Sequence, residues 1–215
     1  MTVLFLFASL LGSYLLGSLN GSIIFSRSKG QDIRNSGSKN AGMTNTLRVY
    51  GKKAAVFVFA FDLFKGIVSA LLANYLAKVF FGEESLLCDY AKYVASLGAV
   101  LGHNFPLYFG FRGGKGILTS WGVIMILDYR IAIVLIVVFI ALVVLFRYVS
   151  LASIVVSALF PVLAIWFTWG EASLTKPYYI ALAVVMAILA IYRHRANIAR
   201  LIAGTESKLG AKKES

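Results

Sequence analysis

RIAIVLIVVFIALVVLF, residues 130–146, decides the fold class, because every position after Arg130 is apolar. A helix that is apolar all round belongs inside a large core or in a membrane. The whole chain supports the membrane, since 60% of its 215 residues are hydrophobic and only 14% are charged. In soluble domains, roughly a quarter of all residues are charged. The sequence therefore predicts an all-α integral membrane protein.

Working outward from this run gives about seven transmembrane helices. A bilayer core of about 30 Å needs about 20 apolar residues in a helix. The candidate spans are residues 3–25, 54–80, 86–102, 116–128, 130–146, 151–169 and 177–192. The third and fourth are short, so six or eight spans remain alternatives. Without an internal repeat, low-complexity tract or linker, residues 1–215 are predicted to form a single membrane domain.

The basic residues predict the orientation. Of 21 Lys and Arg residues, 16 lie in segments 26–53, 103–115, 147–150 and 193–215. The positive-inside rule then places the N-terminus outside and the C-terminus in the cytoplasm, in the cell membrane. No basic residue precedes the first apolar run, so we expect an uncleaved first span rather than a signal peptide. The net charge of +12 is interleaved with the spans, which argues against a nucleic-acid partner.

The first inner segment has the composition of an anion site. It reads RNSGSKNAGMTNTLR, residues 34–48. Glycine amides, small hydroxyls and a flanking arginine are what a phosphate needs. The candidate binding residues are Gly37, Ser38, Asn40, Gly42, Asn45 and Arg48. A solvated, positive-inside loop is the plainer interpretation and stays open here.

The second inner segment places a lysine among glycines. It reads GHNFPLYFGFRGGKG, residues 102–116, and Lys115 is flanked by Gly113, Gly114 and Gly116. A lysine in this setting at a helix start can hold a phosphate, as in a P-loop. The P-loop pattern itself is absent, because Gly116 rather than Ser or Thr follows the lysine. Nucleotide binding is therefore not predicted.

Polar residues also accompany the last span and the second span. The third inner segment reads RHRANIARLIAGTESK, residues 193–208, where His194 and Asn197 share a helical face. Substrate contact and interfacial anchoring both fit this pair.

Asp62 and Lys65 lie within the second span at spacing i, i+3. Ionisable groups at that depth are functional by default, although mutual pairing offers a structural explanation.

The sequence lacks the motifs of several common catalytic sites. There is no paired-His zinc signature, no G-x-S-x-G elbow, and no Asp five residues after His103 or His194. The single Cys88 rules out an internal disulfide. We therefore predict no metal and no cofactor. The residues favour a site that positions phosphorylated substrates, with a transporter for a small organic phosphate and a non-catalytic scaffold as alternatives.

Taken together, the three inner segments resemble the bacterial acyl-phosphate-dependent glycerol-3-phosphate acyltransferase family (PlsY type). That family carries G-S-x-N-x-G-x-T-N, G-H-x-x-P…F-x-G-G-K-G and H-x-x-N-x-x-R-L-x-x-G-x-E motifs. Here they stand as GSKNAGMTN, GHNFP followed by FRGGKG, and HRANIARLIAGTE. The resemblance runs from about residue 10 to residue 208. The chain departs from the pattern at Lys39, where the family usually has glycine, and at Met43, Ile117 and Leu118.

The resemblance implies a seven-helix fold and transfer of an acyl group from acyl phosphate to glycerol 3-phosphate. The products would be 1-acyl-glycerol 3-phosphate (lysophosphatidate) and phosphate, without an acyl-enzyme, as the first acylation step of phospholipid biosynthesis. It implies a monomer in membrane lipid, with an active site facing the cytoplasm. The enzyme that forms acyl phosphate is a candidate partner.

The resemblance also assigns roles to residues. Lys115, with Gly113, Gly114 and Gly116, would hold one phosphate. The glycerol phosphate would be held by Ser38, Arg48, His194 and Asn197, with Ser150 as a further contact. Either His194 is the general base, or an oxygen of the acyl phosphate accepts the proton, and we favour the second route.

Overall fold

In the computed structural model, which describes residues 1–210, the chain forms helices and no strand. The α-helices are α1 Thr2–Gly17, α2 Gly21–Ser28, α3 Met43–Phe81, α4 Leu87–Asn104, α5 Ile117–Leu127, α6 Tyr129–Phe146, α7 Val149–Phe167, α8 Lys176–Arg193 and α9 Arg195–Ile202. Short 3-10 turns cover Ile33–Asn35 and Leu107–Phe109. The predicted all-α class is confirmed.

Each predicted span corresponds to a helix, but the helices differ in length. Five helical stretches are long and apolar enough to cross a membrane: Thr2–Ser28, Met43–Phe81, Tyr129–Phe146, Val149–Phe167 and Lys176–Arg193. In contrast, α5 has 11 residues and is therefore only about 16 Å long, half the thickness of a bilayer core. The count of seven spans and their orientation stay predictions.

Glycines allow the helices of the first half to approach closely. Helix α1 packs against α4, and α3 packs against α4 and α5. A Cβ on Gly102 would lie 2.2 Å from the Tyr14 carbonyl oxygen, and a Cβ on Gly66 would lie 2.4 Å from that of Thr119. Small residues at such crossings are typical of membrane helices. Helices α6, α7 and α8 form the other half of the bundle.

The span predicted over residues 3–25 corresponds to two helices with a break between them. Helix α1 ends at Gly17, and α2 begins at Gly21 with Asn20 as its N-cap. The break is stabilised from α3, because Lys65 Nζ donates to the Leu19 carbonyl at 2.8 Å and the Gly21 amide donates to Asp62 Oδ1 at 3.3 Å. An interrupted membrane helix needs such partners for its freed backbone groups.

The paired charges predicted in the second span are confirmed. Lys65 Nζ lies 2.9 Å from Asp62 Oδ1, and both side chains are almost fully buried. Lys65 Nζ also lies 3.0 Å from His103 Nδ1 on α4. With the Leu19 carbonyl, these contacts use all three N–H groups of the ammonium. The cluster therefore joins α3, α4 and the break after α1, and Asp62 and His103 also line the cavity described below.

The first inner segment, predicted as a loop, contains helix, and the helix predicted at the third is divided in two. Helix α3 begins at Met43, within the first inner segment, and is kinked at Gly51, whose φ of 81° is outside the helical range. The kink separates a short amphipathic part that carries Arg48 from the long apolar part. At the other end, α8 and α9 are separate helices that meet at His194. His194 and Asn197 are thus placed by a helix junction rather than by one straight helix.

Candidate active site

The three predicted inner segments meet at one end of the bundle. Arg34 from the first segment donates to the Phe109 carbonyl of the second at 2.7 Å. Arg193 from the third donates to the carbonyls of Gly114 at 3.0 Å and Gly113 at 2.9 Å. Each arginine therefore holds the glycine-rich second segment against another part of the chain.

A cavity of about 300 Å³ opens where these segments meet. Most of the predicted site residues line it: Ser38, Asn40, Gly42, Asn45, Arg48, Lys115, Gly116, Ser150, His194 and Asn197. They come from four separate stretches of sequence. The structure thus brings together the residues that the motifs single out, at the polar end of one cavity.

A second, more polar cavity of about 840 Å³ adjoins the first. The two share Ser38, Asn40, Lys115 and Asn197, and Gly113 lines the second alone. Its cationic lining residues are Arg34, Lys39, Arg112, Lys115, Arg193, Arg195 and Arg200, against the single carboxylate of Asp32. Such an excess of positive charge in a cleft attracts anions and raises their local concentration.

Gly37 and Gly114 line neither cavity, and their positions indicate that they shape the loops. A Cβ on Gly114 would lie 2.1 Å from His103 Nε2. Its amide donates to the His103 carbonyl at 3.1 Å. Gly37 has a φ of +59°, and a Cβ there would lie 2.3 Å from Asn45 Oδ1. Direct phosphate contact by these two glycines stays a prediction.

Asn45 holds the first loop together through its amide group. Its Nδ2 donates to the carbonyls of Ser36 at 2.9 Å and Asn40 at 3.0 Å, and its Oδ1 accepts from the Ser38 amide at 2.8 Å. The loop also holds Lys39 at a φ of 59°, a left-handed conformation that glycine adopts more easily. The lysine keeps this backbone shape and adds a cation to the second cavity.

Lys115 stands directly before α5, at the polar end of the first cavity. Its Nζ donates to Asn197 Oδ1. Gly116 caps α5 with a φ of 81°, and the free N–H groups of a helix N-terminus attract anions. Burial, with Arg200 and Arg193 nearby, lowers the pKa of Lys115 to about 8, against the opposing effect of Glu206.

Glu206 organises the site, and the sequence reasoning missed it. Its Oε1 accepts from Ser150 Oγ at 2.7 Å and from Asn197 Nδ2 at 2.7 Å, and its Oε2 accepts from Arg200 Nε at 2.7 Å. Although burial opposes the effect, these bonds lower the pKa of Glu206. The carboxylate therefore orients Asn197, whose Oδ1 in turn accepts a hydrogen bond from Lys115. Its place at the end of the HRANIARLIAGTE motif was the available signal.

His194 presents a neutral imidazole to the cavity. Its Nδ1 lies 2.7 Å from the Ala190 carbonyl oxygen. A carbonyl only accepts, so Nδ1 carries the proton and Nε2 presents a lone pair. Burial, with the cation of Lys115 nearby, lowers the pKa of His194 to about 4. The side chain is thus suited to accept a hydrogen bond from a substrate hydroxyl.

Beyond its polar end, the first cavity has apolar walls that no motif indicated. They are formed by Ile117, Leu118, Trp121, Ile124, Leu135, Ile136, Phe139, Ile140, Val156, Phe160, Met186, Ala187 and Ala190. These residues belong to α5, α6, α7 and α8. The cavity therefore joins an anion-binding end to a hydrocarbon-lined end.

Comparisons with known proteins agree with this geometry. A family profile described as glycerol-3-phosphate acyltransferase matches residues 7–204. The glycerol-3-phosphate acyltransferase of Shouchella clausii is 45% identical over 214 residues, which cover 96% of this chain and 97% of that protein. That of Halalkalibacterium halodurans is 42% identical over 210 residues, with 95% and 96% covered.

Two crystal structures of the integral membrane glycerol 3-phosphate acyltransferase PlsY have the same fold. The glycerol 3-phosphate form gives a TM-score of 0.80 at 36% identity, over 95% of this chain and 96% of that chain. The lysophosphatidic acid form gives 0.76 at 35% identity, over 97% and 95%. The resemblance carried by the three motifs is confirmed. The chain belongs to the glycerol-3-phosphate acyltransferase family of PlsY type, and it is an integral membrane acyltransferase.

Proposed function

We propose that the protein transfers an acyl group from acyl phosphate to the 1-hydroxyl of glycerol 3-phosphate. The observation that carries the proposal is the continuous cavity, which has Lys115 and the start of α5 at one end and apolar walls at the other. Acyl phosphate has this same division between an anionic head and a hydrocarbon chain. The related PlsY has been crystallised in glycerol 3-phosphate and lysophosphatidic acid forms, which would correspond to acceptor and product here.

The phosphate of the donor would lie at Lys115 and the N-terminus of α5. Glycerol 3-phosphate would enter through the second, cationic cavity and contact Ser38, Arg48, His194 and Asn197. The acceptor oxygen attacks the acyl carbon and forms the ester bond, while the bond from that carbon to the phosphate oxygen breaks. The phosphate leaves with the electron pair. Because the leaving group is already activated, positioning and charge stabilisation suffice, and no acyl-enzyme forms.

The proton of the attacking hydroxyl would pass to an oxygen of the departing phosphate. A general base works best when its pKa lies near the working pH, and the pKa of His194 is lowered to about 4. So weak a base is poorly matched to an alcohol. We therefore assign His194 to orienting the hydroxyl through Nε2, with the donor substrate taking the proton.

Replacing His194 by alanine should test this assignment. We expect the KM for glycerol 3-phosphate to rise about tenfold, which corresponds to the loss of one hydrogen bond to the substrate, while kcat falls much less. His194→Gln, which keeps an acceptor, should recover part of the affinity. Steady-state kinetics with both substrates varied would measure this. A collapse of kcat with unchanged affinity, across the whole pH range, would instead make His194 the base.

The pH dependence of kcat/KM should reflect the protonation state of Lys115. Its ammonium binds phosphate only when protonated, and its pKa is about 8 in the free protein. As pH rises through 8, the protonated fraction falls, so kcat/KM should decrease about tenfold per pH unit above that point. Lys115→Arg keeps its charge at all accessible pH values, so any residual activity should lack this decrease. A flat wild-type profile up to pH 10, after correction for alkaline hydrolysis of the donor, would contradict the assignment.

We further propose seven spans, with the N-terminus outside and the active site facing the cytoplasm, where glycerol 3-phosphate is dissolved. Lys52 and Glu84 are exposed near opposite ends of α3. In a Cys88→Ser background, Glu84→Cys should react with a membrane-impermeant thiol reagent on intact cells. Lys52→Cys should react only after permeabilisation. The reverse pattern would exclude the proposed orientation.

The donor is tested with purified protein in detergent, given labelled glycerol 3-phosphate and palmitoyl phosphate. We expect lysophosphatidate to form without coenzyme A or carrier protein. Formation only with acyl-coenzyme A or an acyl carrier protein would overturn acyl phosphate as the donor. Size-exclusion chromatography with light scattering of the same sample should give the mass of the expected monomer. Co-purification with the enzyme that forms acyl phosphate would test whether that enzyme is a partner.

A further inference from the structure

The apolar walls of the first cavity follow one face of each of four helices. On α7 the lining residues run from Ser150 through Ser153, Val156 and Ser157 to Phe160. On α8 they run from His194, directly after its last residue, through Ala190 and Ala187 to Met186. On both helices the polar residue marks one end and a large apolar side chain marks the other. The cavity thus has a direction, from the phosphate-binding end into the bundle.

Four side chains close the far end. Ile124, Leu135, Phe160 and Met186 are the lining residues farthest from the polar end on α5, α6, α7 and α8, and each is at most 5% exposed. We call them the closing residues. They all belong to one buried hydrophobic cluster, so the cavity ends against packed core.

Phe160 is the largest closing residue, and it is supported from behind. Its ring meets the ring of Tyr179 edge-on, with centroids 6.2 Å apart. Tyr179 in turn stacks on Tyr93 at 5.8 Å. Neither tyrosine lines the cavity. A phenyl ring packed against a second ring, which itself stacks on a third, has little room to move aside in a close-packed interior.

The wall between Ser150 and Phe160 offers no free hydroxyl donor along α7. Ser153 Oγ donates to the Val149 carbonyl at 2.8 Å, and Ser157 Oγ donates to the Ser153 carbonyl at 2.7 Å. Both hydroxyls are thus satisfied within their own helix. The surface left for an occupant suits a hydrocarbon chain.

We propose that Phe160 limits the length of the acyl chain that the site accepts, an inference that rests on the proposed function. Ser150 and Phe160 are ten residues apart on α7, which is about 15 Å along the helix axis. An extended chain advances about 1.2 Å per bond, so about a dozen bonds fit between the polar end and the Phe160 ring. Each methylene accommodated before the ring improves kcat/KM about fourfold, and methylenes beyond it must bend or leave the cavity.

Two substitutions on α7 should move this limit in opposite directions. Phe160→Ala removes the barrier and should shift the preferred donor to longer chains. Val156 lies one helical turn nearer the polar end, so Val156→Phe should shift the preference by about five carbons to shorter chains. The measurement is kcat/KM for a homologous series of saturated acyl phosphates. Phe160→Leu, which keeps more of the packing, replaces Phe160→Ala if the latter does not fold.

Ratios within one variant make the test independent of overall activity. Phe64→Ala, the same chemical change at a residue of α3 that is 59% exposed, should leave the chain-length profile unchanged. Profiles of the two α7 variants identical to that of the wild type would overturn the role of Phe160, with acyl phosphate still the donor. If the wild-type protein uses no acyl phosphate of any length, the proposed function itself fails.

Discussion

Replacing Lys115 by methionine should lower kcat/KM more than about a thousandfold, since losing one preorganised charge-stabilising donor alone costs about 10² to 10³ in rate. Lys115 also contributes the ammonium that binds the donor phosphate in the proposed complex. Methionine has similar length, so the loss should concern charge rather than shape. The rate of lysophosphatidate formation by purified protein, at saturating and at low donor concentration, measures the effect.

The fold should survive this substitution. Methionine removes a half-buried cation whose desolvation is unfavourable, and it leaves only Asn197 Oδ1 without its donor, a loss of about 1 kcal/mol. The midpoint of thermal unfolding in detergent should therefore stay close to that of the wild type. Lys52→Met, at an exposed position of the kinked start of α3, is the matched control and should keep full activity. Near-full activity of Lys115→Met would refute the phosphate-binding role.

The sequence predicted the helical bundle because lipid-facing helices leave a compositional signal that needs no tertiary information. Residues 130–146 were predicted as a span, and α6 covers Tyr129–Phe146. The boundary after residue 128 was also correct, since Asp128 caps α6 by accepting from the Arg130 amide at 2.9 Å. The polar residues Asp128 and Arg130 thus marked the boundary between α5 and α6, which lies between two apolar segments.

The break between α1 and α2 was not predicted, although the local sequence carries a signal for it. Residues 17–22 read GSLNGS, with two glycines and an asparagine that can cap a helix. The partners of the interrupted backbone are Asp62 and Lys65, more than 40 positions away in the chain. These tertiary contacts, which the sequence does not show, stabilise a break that the local sequence already permits.

The candidate site was likewise predicted only in part. Lys115, His194 and Asn197 were predicted because their motifs are local and chemically specific, and they line one cavity. Glu206 follows the end of α9, and it was missed because its role depends on Ser150, which lies on α7, far away in the chain. The apolar end of the cavity was missed for a related reason. Its walls are ordinary membrane-helix residues, and only the packing of four helices turns them into a binding surface.

The second large effect concerns stability. Replacing Lys65 by methionine should lower the free energy of unfolding by about 3–5 kcal/mol, the usual effect of removing one partner from a buried ion pair. Three acceptors would lose their donor at once: Asp62 Oδ1, His103 Nδ1 and the Leu19 carbonyl. The Asp62 carboxylate already has one oxygen, Oδ2, without a hydrogen-bond partner among the described residues. The substitution would leave it as an uncompensated buried charge.

Thermal unfolding in detergent should show this as a midpoint lowered by about 10 °C. Lys78→Met is the matched control on the same helix, since Lys78 is partly exposed and lies 3.8 Å from an exposed Glu83. Such a surface pair contributes at most about 1 kcal/mol. Asp62→Leu combined with Lys65→Met should recover part of the loss, because both charges are then removed together. The recovery should be incomplete, since the Leu19 carbonyl and the Gly21 amide at the helix break still lack partners. Equal midpoints for Lys65→Met and Lys78→Met would mean that the cluster does not stabilise the junction of α1, α3 and α4.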